Sequence, residues 1–125
     1  MNVQLKTVPK EQVRCDGYGD WFYGEFGILA TCADIKEWDD DTKFRIAVHE
    51  MVEAWLCRKH GVTDTQVCKF DLLYEAEGAE EKHGELDEPG DDPRAPYREE
   101  HRAADHVERA LCQVLGLTWD LPNQA

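Results

Sequence analysis

Basic residues are scarce in this chain of 125: 14 Lys and Arg stand against 27 Asp and Glu, a formal net charge of −13. Holding a nucleic-acid backbone needs a cationic face to neutralise phosphates, so direct nucleic-acid binding is not expected. Long apolar runs are lacking as well. None approaches the ~20 residues of a membrane-spanning helix, and the N-terminus carries no apolar signal segment. No membrane role is expected, and the cytoplasm is the expected compartment. The five cysteines (Cys15, Cys32, Cys57, Cys68 and Cys112) include no Cys-x-x-Cys pair. Their number is odd and their spacing fits neither a disulfide framework nor a zinc ribbon, so reduced thiols are expected. No phosphate-binding glycine loop is found, and no Ser-His-Asp or Cys-His arrangement can be argued from spacing.

What is present fits one compact α+β domain over residues 1–125, with 42% hydrophobic and 33% charged residues. Residues 1–35 read as a small N-terminal antiparallel sheet, with Trp21 and Phe26 as core and glycines 17, 19, 24 and 27 as punctuation. About three helices follow. Asp39-Asp40-Asp41-Thr42 offers caps and negative charge for a helix that reaches His60, with Gly61 as its stop. Phe44, Val48, Val52 and Trp55 form its apolar stripe. Thr63 and Gln66 fit a capping box for a second helix to about Glu77, with Val67, Phe70 and Tyr74 as core. Residues 77–95 are acidic, rich in Gly and Pro and poor in apolar residues, and read as a long loop: a lid or a disordered surface segment. A last helix runs from about Pro96 to Leu115, with Gly116 closing it and Ala104, Val107, Leu111, Val114 and Leu115 as its stripe. Trp119 in the tail is expected to pack back on the core.

The chemistry concentrates in Ala47-Val-His-Glu-Met-Val-Glu-Ala-Trp55. His49 and Glu53 stand one turn apart at the edge of the expected core stripe. An imidazole and a carboxylate at i and i+4 suit one divalent ion. Glu50 points elsewhere and suits a base acting on metal-bound water, as in His-Glu-x-x-His peptidases. Here the second histidine is Glu53, so the missing imidazole must come from another element. His101 supplies it, on the same side of the last helix as Asp105 and Glu108. His49, Glu53 and His101 then make a two-histidine, one-carboxylate set, with Asp105 as an orienting acceptor.

On these residues the chain resembles the zincin-like metallopeptidases, and within them the small gluzincin-like domains. The motif appears as the variant HExxE, and His101-Arg-Ala-Ala-Asp105 occupies the place of the family's third-ligand pattern. The resemblance spans roughly residues 21–115. It implies one zinc per chain held by His49, Glu53 and His101, with Glu50 as catalytic base, a peptide or protein substrate, and Tyr97 or His106 as stabiliser of the transition state. The strand Ile28–Ala33 would be the sheet edge that pairs with substrate. The small size and acidic balance are similar to those of bacteriophage accessory proteins.

Other readings of the same residues are a non-catalytic acidic protein that engages a basic protein partner, even by imitating DNA, and a structural metal domain without turnover. The plainest has His49 bonded to a backbone carbonyl and Glu53 paired with Arg or Lys. His60 is too far along its helix to share an ion with His49. Cys57, His60 and Cys68 lack a fourth ligand for a structural zinc site, so buried thiols are expected. His83 is an alternative ligand only if the loop folds over the site. Cys112 is expected to pack rather than ligate.

Overall fold

The computed structural model describes residues 1–15, 17–78 and 88–121. The core of the acidic loop, His83 included, lies outside the described residues. The α+β expectation holds: a three-stranded sheet, β1 (Val3–Val8), β2 (Gly19–Gly24) and β3 (Gly27–Ala33), is followed by α1 (Asp40–His60), α2 (Asp64–Ala76) and α3 (Arg98–Leu115). Among the described residues, no helix is long and apolar enough to cross a membrane.

The sheet is mixed, which corrects the antiparallel expectation. β2 and β3 form a hairpin, Gly24 opposite Gly27, but β1 pairs with β3 in parallel, Val3 opposite Ile28. The order is β1-β3-β2, so β3 is central and flanked on both sides. Ile28–Ala33 therefore offers no free edge to a substrate; along the outer edge of β2, the Trp21 N–H already donates to the Asp20 carboxylate and its carbonyl accepts from Arg14. Gly27 makes the parallel pairing feasible. Its φ is +116°, and a Cβ there would sit 2.0 Å from the Asn2 carbonyl oxygen, so only glycine fits. Trp21 is buried as expected, while Phe26 sits exposed at the hairpin tip.

The helix ends follow their local chemistry. The Asp39 carboxylate accepts from the Thr42 N–H at 2.8 Å, Asp40 and Asp41 meet the positive end of the α1 dipole, and Gly61 closes α1 in the left-handed conformation. Thr63 and Gln66 form the capping box of α2. Val67, Phe70 and Tyr74 bury against Trp21, Ile28, Ala54 and Cys57.

The apolar stripes read for the other two helices match their buried faces only at Val48 and Ala104, with Val52, Leu111 and Leu115 half-buried. On α1, Phe44 and Trp55 are 47% and 42% exposed; on α3, Val114 is 84% exposed and Val107 is also open. The buried face of α1 carries Arg45, His49, Glu53, Ala54 and Cys57, and that of α3 carries Glu100, His101, Ala104, Glu108 and Cys112. These faces meet. Arg45 is 1% exposed; its guanidinium lies 2.7 Å from Cys112 Sγ and 3.6 Å from Glu108, and donates to the carbonyls of Thr118 and Trp119. The tail thus returns to the body through Arg45, with Arg109 stacked over the Trp119 ring at 3.9 Å.

Cysteine usage also differs from expectation. Cys15, at the end of the β1–β2 connection, is disulfide-bonded to Cys68 on α2, with a Cα separation of 5.9 Å. Cys32, Cys57 and Cys112 are buried free thiols. With Cys68 engaged, a Cys57–His60–Cys68 zinc site is ruled out, and His60 instead faces Glu100 of α3 at 3.4 Å.

Candidate metal centre between the first and last helices

His49, Glu53 and His101 do meet. The two imidazoles face each other with centroids 5.0 Å apart and planes at 68°, and Glu53 lies between them. Glu53 Oε2 is 3.0 Å from His101 Nδ1 and 3.3 Å from His49 Nε2, while Oε1 accepts from the Trp21 indole N–H at 3.0 Å. The partners of His49 are carboxylates and those of Glu53 are imidazoles and an indole, so the reading with a backbone-bonded histidine and an Arg- or Lys-paired glutamate does not hold.

Each ring uses one nitrogen on Glu53 and turns the other away from it. His49 Nδ1 lies 3.4 Å from Asp105 Oδ1 and 2.9 Å from Glu108 Oε1. His101 Nε2 lies 3.4 Å from Asp105 Oδ2, 3.1 Å from Glu88 Oε2 and 3.7 Å from Asp91 Oδ1. These are ion-pair distances without hydrogen-bond geometry: His49 Nδ1, His101 Nε2 and Asp105 Oδ1 are buried atoms that make no hydrogen bond among the described residues. Such atoms are costly unless another group satisfies them.

One donor atom each from His49, Glu88, His101 and Asp105 falls within a 4.8 Å cluster. These four residues form a set able to hold a metal ion. A tetrahedral ion with bonds of about 2.1 Å spaces its donors about 3.4 Å apart, close to the separations of Asp105 from both rings. A ligating histidine commonly gives its other nitrogen to a carboxylate, which fixes the ring's orientation. Glu53 occupies that place for both rings at once.

Protonation follows from this crowding. Burial opposes a charge on His49, but the carboxylates of Glu108 and Glu53 outweigh it and hold the ring's pKa well above the ordinary value. Burial likewise opposes charge on His101, and Asp105, Glu53 and Glu88 raise its pKa. Glu53 and Asp105 are held below the usual carboxylate range: burial opposes the shift in both, and His101 leads the charges that overcome it. Glu50 goes the other way, pushed up by burial and then by the charge of Glu53.

Glu50 lines the same cavity of about 390 Å³ as the two histidines. Two glycines hold the walls tight. A Cβ on Gly19 would stand 2.5 Å from Glu50 Oε1, and a Cβ on Gly90 would stand 2.3 Å from His101 Cγ. Gly90 belongs to a short 3-10 turn, Pro89–Asp91, at the C-terminal end of the acidic segment, and this turn delivers Glu88. The sequence marked the segment as a loop but gave no sign that Glu88 reaches the histidines. Glu108 was visible as a neighbour of Asp105 on α3, without a role. The two residues considered as stabilisers are otherwise engaged or remote: the Tyr97 hydroxyl donates to Asp71, and His106 is exposed.

Comparison with known proteins identifies no relative: no family model, curated protein or solved structure matches the chain.

Proposed function

We propose that the chain is a zinc-dependent hydrolase acting on peptide bonds, with the ion held by His49, His101, Asp105 and Glu88. The supporting observation is the convergence of three buried, hydrogen-bond-deficient donor atoms, His49 Nδ1, His101 Nε2 and Asp105 Oδ1, on one small space. In this reading Glu53 and Asp105 exchange the roles suggested by the HExxE spacing. Glu53 orients both imidazoles, and Asp105 ligates.

A divalent ion bound there supplies a Lewis acid and lowers the pKa of a water molecule towards neutrality. Glu50 lines the cavity beside that position, and its raised pKa suits a group that accepts a proton from water and delivers it to the leaving amine. The missing side chain of Gly19 lets the Glu50 carboxylate pack directly against the start of β2. Glu53 holds the rings so that His49 Nδ1 and His101 Nε2 face inward.

The test is metal analysis of the native protein followed by peptide cleavage. About one zinc per chain is expected, with His101→Ala losing the metal. Asp105→Asn should lower zinc affinity more than Glu53→Gln; the reverse order would restore Glu53 as the ligand. Glu50→Gln should retain zinc and abolish cleavage. A chain that holds zinc, unfolds on chelation and cuts no peptide would be a structural metal domain instead.

A further inference from the structure

The cavity extends beyond the metal cluster, and its two ends differ. Ile46 and Glu53 both line it and lie seven residues apart on α1, about 10 Å along the axis. At the Ile46 end the wall is completed by Tyr18, Trp119 and Leu121, and Ile46 and Leu121 belong to one apolar cluster. At the Glu53 end stand Asp71 and Tyr97. Tyr97 lies edge-on to His101, centroids 6.0 Å apart, and its hydroxyl fixes one oxygen of Asp71. Asp71 Oδ2 has no hydrogen bond among the described residues.

Charge in the cavity is one-sided. Among the described residues lining it, seven are Asp or Glu, against Arg45 and the two histidines of the cluster. The Arg45 guanidinium is already surrounded by Cys112, Glu108 and two carbonyls, so it is not available to a ligand's carboxylate or phosphate. Three of the seven carboxylates are held close to the cluster: Glu53 by Trp21 and the rings, Glu108 by Arg45 and Glu88 by His101. Asp71 has a tyrosine and no cation. Burial lifts its carboxyl to about 7, with the charge of Glu53 adding to the rise and the Tyr97 hydroxyl and the charge of His101 opposing it.

We infer that the substrate is cationic, a peptide whose lysine- or arginine-type side chain is held by the Asp71 carboxylate while the bond to be cut lies at the His49–His101 cluster. The inference rests on the metal-hydrolase reading. It adds the substrate class and assigns Asp71 as the residue that determines it. The apolar end at Ile46 and Leu121 takes the residue on the other side of that bond.

The probes are amino-acid hydroxamates, which chelate a bound metal and present one side chain to the cavity. Zinc content is measured first, so that a chain without zinc reveals failure of the underlying reading and removes this inference with it. On the zinc-loaded protein, arginine hydroxamate should bind about tenfold more tightly than citrulline hydroxamate, its uncharged isostere, as a charge-assisted contact requires. Glutamate hydroxamate should bind most weakly. Asp71→Asn should keep the zinc and erase the arginine margin, whereas Tyr97→Phe, which leaves the carboxylate in place, should preserve it. Equal binding of arginine and citrulline forms by the unmodified protein overturns the inference without recourse to any variant. So does an arginine margin that survives in a folded Asp71→Asn protein.

Discussion

Two helices of similar burial dock in opposite ways. α2 is fastened through Val67, Phe70 and Tyr74 against an apolar cluster, and its Cys68 is tied covalently to Cys15. α3 is fastened to α1 through His101, Asp105, Glu108 and Cys112 against His49, Glu53 and Arg45. Apolar burial stabilises at about 25 cal/mol per Å² and is insensitive to pH. Ionisable groups taken from water often cost as much as their mutual attraction returns. The first docking therefore carries stability, and the second carries chemistry that a core built for stability alone would have avoided.

The sharpest way to break this contrast is to remove apolar mass from the α2 side. Tyr74→Ala, at a site 2% exposed, should cost about 3–5 kcal/mol in denaturant unfolding, with zinc stoichiometry unchanged in the fraction that stays folded. Cys68→Ser should come next, at about 2–4 kcal/mol if the released 53-residue loop behaves as chain entropy predicts. On the α3 side, Gly90→Ala forces a methyl against His101 and should cost about 1–3 kcal/mol through overpacking. Unlike the two preceding changes, it should weaken zinc binding more than stability, read by titration against a chromophoric chelator.

A pH profile completes the comparison, with Asp71 contributing from α2 and the histidines from the α1–α3 interface. Asp71 titrates at about 7 in the folded chain and near 3.9 unfolded. Between those values the native state binds the extra proton, so stability falls as pH rises from about 4 to 7. The raised histidines act in the same direction: their contribution is complete below about 6.5 and is lost as pH climbs through their folded values. Denaturant midpoints of chelator-treated protein should therefore decline across neutrality, and Asp71→Asn should remove its own share of the decline below pH 7, leaving that of Glu50, whose carboxyl is raised as well. Added zinc should reverse the slope, because the metal competes with protons for the two rings. A flat profile in both conditions would show that the α1–α3 interface is not the ionised assembly described.

How much of this could be read from the residues alone follows the same divide. Helix ends were legible at Asp39, Thr63, Gly61 and Gly116, because a cap is a local contact between neighbours in sequence. The face of α2 was legible because its buried residues are apolar and recur with helical period. The faces of α1 and α3 were misread for a definite reason. Hydrophobic periodicity equates apolar with buried, and here Phe44, Trp55, Val107 and Val114 face outward while His49, Glu53, His101 and Glu108 face in. The meeting of His49 with His101 was still legible, since an imidazole and two carboxylates on a segment flanked by apolar residues demand partners. Glu88 was not, because nothing within an acidic Gly- and Pro-rich stretch tells which carboxylate folds back. The Cys15–Cys68 bond and the parallel β1–β3 pairing join distant residues and leave no trace in local spacing.

The parallel strand has an effect on how the molecule keeps to itself. β1 is held to the sheet by its ladder to β3 and by Val8 packed with Val13 and Ala33, and a chain without it would leave that edge of β3 open. While it is away, Ile28 to Ala33 expose unpaired amides and carbonyls, a template onto which the same stretch of another molecule can add. A chain cut after Val8 should accordingly remain foldable at its helices yet gather into oligomers as its concentration rises. On that outcome, the first eight residues guard the chain against self-assembly.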